Sequence, residues 1–215
     1  MKSLSEVYDG MAKAYGSQRW YADIGPFAMI LGAVLIQNTT SEHVSQALHN
    51  FGDHLDAAYI AQCDDEELVR AIYPAGFYNQ KKDRVREISK WFLKYNCDLA
   101  QIREKDPQKL RQELLSINGI GKETADTILL YALDFPFFII DSYTKRIFER
   151  LGYPLGNEYD KIRLWVQENL PLDIVVYKEY HALLVEHAKQ RCKKKPVCRG
   201  CAFYYSCKYR EEHQP

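Results

Sequence analysis

Apolar residues recur at helical spacing along almost the whole of this chain, and that pattern constrains the fold more than any other feature. Val85, Ile88, Trp91 and Phe92 share one side of a segment whose other side carries Lys81, Lys82, Arg84 and Arg86, with Asn79 as its expected cap. Asp106 followed by Pro107 is an N-cap with proline at the first helical position, and it predicts a helix to Leu115. Pro26 opens a mostly buried helix through Gln37, Ser41 is expected to cap the next, and Asp64 or Asp65 starts a short helix that Pro74 ends. Further helices are expected over 122–133, 141–151, 157–170 and 174–190, whereas the chain from Arg191 onward shows no periodicity. The run from Phe135 to Ile140 reads as a weak strand or an extended connection. An all-α fold follows, with Pro136 as the natural handover between two helical lobes.

The 215 residues suffice for one large domain or two small ones, and 47% hydrophobic with 27% charged is globular composition. The longest apolar run, Pro26 to Ile36, falls short of the ~18 residues that read as a membrane-spanning helix, so no membrane partner is expected. The first ten residues hold Lys2, Glu6 and Asp9 and no apolar signal core, which points to a cytoplasmic protein with reduced thiols. Lys plus Arg and Asp plus Glu both number 29, and as a total that argues against a basic nucleic-acid binder. The distribution says otherwise. Eight basic residues and no acid lie between Lys189 and Arg210, Lys81, Lys82, Arg84 and Arg86 surround a lone Asp83, and compensating acids gather at Asp64 to Glu67. A charge run is usually a solvated face, but these flank the motifs below.

Five elements carry chemistry. Cys192, Cys198, Cys201 and Cys207 fall within sixteen residues, and in a reducing compartment such a set binds metal. Their spacing, with only one close pair, favours a 4Fe-4S cluster over zinc, with disulfides the remaining alternative. Gly119-Ile120-Gly121-Lys122 lies between two predicted helices, where glycines admit a tight turn and a helix start offers N–H groups to a phosphate; an ordinary helix–helix turn has the same look. Asp141 follows an apolar run at a helix start, so it is an N-cap, a catalytic carboxylate, or both. Gln37-Asn38 is a polar break after a buried helix, and Phe77 stands on the turn Gly76 to Lys81; taken alone, each is more often a cap or core-edge contact.

In their order along the chain the elements resemble the endonuclease III superfamily of helix-hairpin-helix DNA glycosylases, over roughly Gly25 to Tyr209. The resemblance implies two lobes with a DNA-binding cleft between them: a six-helix lobe over 20–134 carrying the hairpin, and a terminal lobe over 1–19 and 135–215 carrying the cluster loop at 191–208. It implies that Gly119, Ile120, Gly121 and Lys122 hold DNA, that Asp141 is catalytic, that Gln37 fills the hole left by an extruded base with Asn38 beside it contacting DNA, and that Phe77 wedges the opposite strand. Lys81 and Lys145 are expected to contact DNA as well, and the four cysteines to ligate the 4Fe-4S cluster. The expected partner is double-stranded DNA containing damaged bases, bound by a monomer.

One departure matters. Bifunctional members of the superfamily carry a nucleophilic lysine two residues after the second hairpin glycine, where this chain has Glu123, and a carboxylate forms no Schiff base. Glu at that position, together with Gly32 to Thr39 and Gly76 to Lys81, is similar to the 3-methyladenine DNA glycosylase III branch, although the cysteine set departs from that branch. There the segment matching Trp20 and Tyr21 stacks on the flipped base; packing at the lobe interface is the competing role for these two rings. The expectation is therefore a monofunctional glycosylase for alkylated bases. The alternatives are a bifunctional enzyme for oxidised pyrimidines using Lys122 or Lys145, and a non-catalytic DNA-binding or redox-sensing module.

Overall fold

A computed structural model of the chain describes residues 2–213, and among these every regular element is helical. The chain divides into two units, Met1–Trp20 with Pro136–Pro215, and Tyr21–Phe135.

The first unit holds α1 (Leu4–Tyr15), α10 (Ser142–Leu151), α11 (Tyr159–Glu168), α12 (Ile174–Gln190) and the short α13 (Lys208–His213). Helix α1 is an addition to the sequence reading. Ser3 and Glu6 form a reciprocal capping box, and Leu4, Val7 and Met11 bury one stripe. Tyr180 on α12 anchors that stripe, its hydroxyl donating to Leu4 O at 2.9 Å while Tyr8, Phe138 and Phe148 meet its ring edge to face. The run Phe135 to Ile140 is an extended connection, buried from Phe137 onward, not a strand.

The second unit holds α2 (Pro26–Leu35), α3 (Ser41–His49), α4 (Ala57–Gln62), α5 (Asp65–Ile72), α6 (Tyr78–Leu93), α7 (Leu99–Arg103), α8 (Pro107–Ser116) and α9 (Lys122–Thr127). Helix α9 runs directly into a fully buried π-helical turn, Ile128–Ala132. Helices α2, α4 and α5 all pack on α6. Asp106 caps α8 as its sequence predicts, accepting from Lys109 N at 2.8 Å. Two other caps shift by a residue or two: Thr40 rather than Ser41 caps α3, and Phe77 rather than Asn79 precedes α6.

The basic run on α6 is largely consumed within its own unit. Arg86 bonds Ala61 O, Cys63 O and Asp65, and Lys82 pairs with the same aspartate, so these two cations tie α4 and α5 to α6. Lys81, expected to face DNA, is 1% exposed. Its place on the helix turns it toward α2, where the ammonium finds main-chain carbonyls instead of solvent.

Candidate functional site

In the first unit Asp141 is the N-cap of α10, its Oδ1 accepting from Thr144 N at 2.6 Å. Its Oδ2 lies 3.6 Å from Nε2 of His181 on α12, and both side chains are nearly enclosed. Burial pushes the Asp141 carboxyl up, but the His181 imidazole and the Thr144 N–H more than reverse it, leaving the group below the ordinary carboxylate range. The cap and the candidate catalytic carboxylate are one residue. His181 escaped the sequence reading. Its only sequence trace is a histidine on the buried face of a long helix, more often a satisfied core group than a functional one. Lys145, one turn after Asp141, donates to Asn157 Oδ1 at 2.9 Å and lies 4.0 Å from Glu149.

In the second unit the hairpin joins α8 to α9. Gly119 adopts φ +83°, which requires glycine, and a Cβ there would also push the Arg84 guanidinium aside. Gly121 has an ordinary φ of −88° and open space where a Cβ would stand. Ile120 is buried, which leaves its main chain rather than its side chain for any ligand. Beneath the turn Arg111 on α8 grips Asp126 on α9 through two bonds of 2.6 and 3.1 Å, both side chains buried. Lys122 and Glu123 are exposed on the first turn of α9.

Gln37 reaches the same turn. Its Nε2 donates to Gly119 O at 3.1 Å and to Thr124 Oγ1 at 3.0 Å, while its Oε1 accepts from Arg84. Asn38 beside it is exposed with φ +57°. Phe77 is 59% exposed with φ +48°, a conformation uncommon outside glycine and asparagine. The structure therefore brings Gln37, Arg84 and the hairpin together, and Arg84 is a participant that sequence reading placed only within a basic run.

Trp20 and Tyr21, paired in the sequence reading, fall on either side of the division between units. Trp20 is half exposed, and Tyr21 meets Tyr131 of the π turn at 5.2 Å between ring centres.

Cys192, Cys198, Cys201 and Cys207 line a single cavity in the first unit together with Arg150, His187, Phe203 and Tyr209. Among the described residues no three of these sulfurs stand in a ready metal-binding array; what they share is the cavity and its donors. Arg150 Nη1 lies 3.3 Å from Cys192 Sγ and Phe203 N lies 3.4 Å from Cys201 Sγ, the N–H···S contacts that suit anionic sulfur. Arg150 also bonds Lys193 O and Lys194 O, fixing the loop from α10. The donor set and the shared cavity fit a cluster of iron and sulfide held by four thiolates.

Comparison with known proteins agrees with this layout. Residues 31–171 match the HhH-GPD superfamily base excision DNA repair protein family. The "Putative DNA repair glycosylase MJ1434" of Methanocaldococcus jannaschii is 43% identical over 211 residues, covering 95% of each chain. Among solved structures, the H. pylori 3-methyladenine DNA glycosylase bound to 1,N6-ethenoadenine superposes with a TM-score of 0.74 at 27% identity, covering 86% of this chain and 96% of that one. A trapped endonuclease III–DNA covalent intermediate superposes over the full length of both chains with a TM-score of 0.83 at 20% identity, a likeness of fold. No helix among the described residues is long and apolar enough to cross a membrane.

Proposed function

The chain belongs to the HhH-GPD superfamily of base excision DNA repair proteins, and from that premise we propose that it is a monofunctional DNA glycosylase that hydrolyses the N-glycosidic bond of alkylated bases of the 3-methyladenine type, extruded from duplex DNA. The observation that carries this reading is the Asp141 carboxylate, held ionised at a helix start by the Thr144 N–H and by His181.

A base methylated at a ring nitrogen is already cationic and leaves as a neutral molecule, so the reaction needs no strong acid. As the C1′–N bond breaks, both electrons go to the base and positive charge develops on the sugar. A preorganised anion stabilises that charge. Asp141 supplies it, then orients the water that attacks C1′ and accepts or passes on the proton, leaving an abasic site. The base must leave the stack first. Gln37 fills the hole and Phe77 props the opposite strand. The main chain at Gly119 and Gly121, with Lys122, holds phosphate, and the aromatic faces of Trp20 and Tyr21 suit a cationic base.

Glu123 supports monofunctional chemistry, because it occupies the position of the Schiff-base lysine. Lys145, one turn after Asp141, is engaged by Asn157. The domain assignment follows the same reading, with a helix-hairpin-helix lobe over 20–134 and a terminal lobe in which Cys192, Cys198, Cys201 and Cys207 hold a 4Fe-4S cluster as a structural, DNA-positioning element.

The test is a panel of duplexes carrying 3-methyladenine, 7-methylguanine, thymine glycol or uracil, scored separately for base release and for nicking. Release of a methylated base without nicking is expected. Nicking with borohydride trapping of the enzyme on DNA overturns the monofunctional reading, and binding to abasic analogues without release of any base favours the non-catalytic one.

A further inference from the structure

We propose that Lys81 is a positioning residue that holds Gln37 and Phe77 at a fixed spacing, so that the two side chains enter the duplex as one unit. The inference rests on the gap-filling reading of Gln37 and Phe77 given above.

Lys81 is buried on α6, and its ammonium donates to Leu35 O at 2.8 Å and to Ala75 O at 2.7 Å. Leu35 is the last residue of α2, and Ala75 is the last of a short 3-10 turn, Tyr73–Ala75. Each carbonyl lies in a final turn, where helices leave acceptors unsatisfied and where the backbone dipole favours a cation. One side chain thus caps two ends. Gln37 begins two residues past the first of them, and Phe77 two residues past the second.

Both segments so held contain left-handed backbone. Asn38, Gly76 and Phe77 all have φ between +48° and +67°. Left-handed backbone at asparagine and phenylalanine persists where surrounding contacts over-determine it, and it collects at functional positions. Phe77 combines that strain with an exposed ring, and the Lys81 ammonium stands 6.0 Å from the ring centre. Burial and the neighbouring Arg84 lower the Lys81 pKa to about 8, so the charge is retained at neutral pH at a solvation cost that an apolar residue would not incur. An apolar replacement would orphan two buried carbonyls and release both turns.

The experiment uses the full chain and the lesion released fastest in the panel, placed either in a paired duplex or opposite an abasic gap that leaves it unpaired. Lys81→Met is compared with Lys81→Gln, which keeps two N–H donors and serves alone if the methionine variant does not fold. Single-turnover base release and the fluorescence of a 2-aminopurine beside the lesion are read together. Misplacing two inserting groups predicts a loss of about tenfold to a hundredfold on the paired lesion, a smaller loss on the unpaired one, a reduced 2-aminopurine signal, and partial recovery with glutamine. Equal losses on both substrates, or none on either, overturn the proposal. Gln37→Ala and Phe77→Ala separate the two levels of inference. If they show the paired-to-unpaired split and the Lys81 variants do not, positioning by Lys81 fails alone. If none of them shows it, the gap-filling reading fails too.

Discussion

Asp141 Oδ2 stands 3.6 Å from His181 Nε2, across forty residues of sequence, while Asp141 Oδ1 accepts the Thr144 N–H that starts α10. The carboxylate is held at both oxygens, one by the helix it caps and one by the helix that packs against it. Burial alone would favour the neutral acid, and these two partners keep the anion. Replacing His181 with Gln removes the larger of the opposing influences, so the Asp141 pKa rises. Carboxyl-carbon NMR titration of Asp141 in both proteins reads this directly, and an unchanged value sinks the assignment. The stability sign follows. A depressed carboxylate contributes stability that is complete above its unfolded value of about 3.9 and is lost as pH falls through its folded value. The deficit of the His181→Gln protein should therefore shrink on acidification below about pH 4.

Asp141→Asn separates capping from catalysis. Asparagine caps as well as aspartate, so the cap is kept and the stability lost at neutral pH is that of the carboxylate–His181 pair alone. Base release loses the anion that answers the developing sugar charge and is expected to fall by about a hundredfold or more. Denaturation and single-turnover release on the same preparation decide it. Equal retention of both would leave Asp141 as a cap only.

Much of this layout is legible in local sequence, because caps and glycine turns are local physics. Asp106-Pro107 predicts the start of α8, and Asp141 reads as a cap and is one. What sequence conceals is what lies across an interface. Periodicity puts Lys81 on the polar side of α6, yet the ends of two other elements meet it there. Arg84 reads as one charge in a basic run, yet it fills the space that only a glycine at 119 leaves. His181 has no motif at all. In each case a distant partner decides the role, and spacing along one helix carries no record of it.

The Arg111–Asp126 pair bolts α8 to α9 beneath the hairpin, with both side chains buried. Removing one side chain takes two buried hydrogen bonds from the other, so Arg111→Met or Asp126→Leu is expected to destabilise the protein by a few kcal/mol, about 3 or more. The double variant should lose less than the sum of the two single variants, because the two share these bonds. Denaturant titrations of the three variants test this, and additive losses would show that the pair is not the source.

Glu123 is exposed on the first turn of α9, at the position that the family resemblance matches to the lyase lysine. Glu123→Lys restores an amine there. The wild type is expected to give no borohydride-trapped adduct on abasic DNA, and the variant a slow one, since an exposed lysine with a pKa of about 10.4 is mostly protonated at neutral pH. Trapping by the wild type would move the chain to the bifunctional class.

The two hairpin glycines differ in a way that isolates DNA binding from folding. Gly119 is left-handed and abuts Arg84, so Gly119→Ala forces both strained backbone and a shift of the guanidinium that also holds Gln37. It should destabilise the protein and weaken DNA binding together. Gly121 has an ordinary φ and open space but is the N-cap of α9, where alanine caps poorly, so the unfolded-chain gain of about 0.4–1 kcal/mol is offset and alanine is expected to change stability little. A methyl group at that position nonetheless occupies the space through which a phosphate would approach the α9 N–H groups. Gly121→Ala should therefore bind undamaged duplex more weakly, and with a changed salt dependence, while melting close to the wild type and well above Gly119→Ala. Fluorescence anisotropy across a salt series, set beside a thermal melt, reads the two effects separately. Unchanged affinity in Gly121→Ala would remove the hairpin main chain as a phosphate contact and leave these glycines a structural role only.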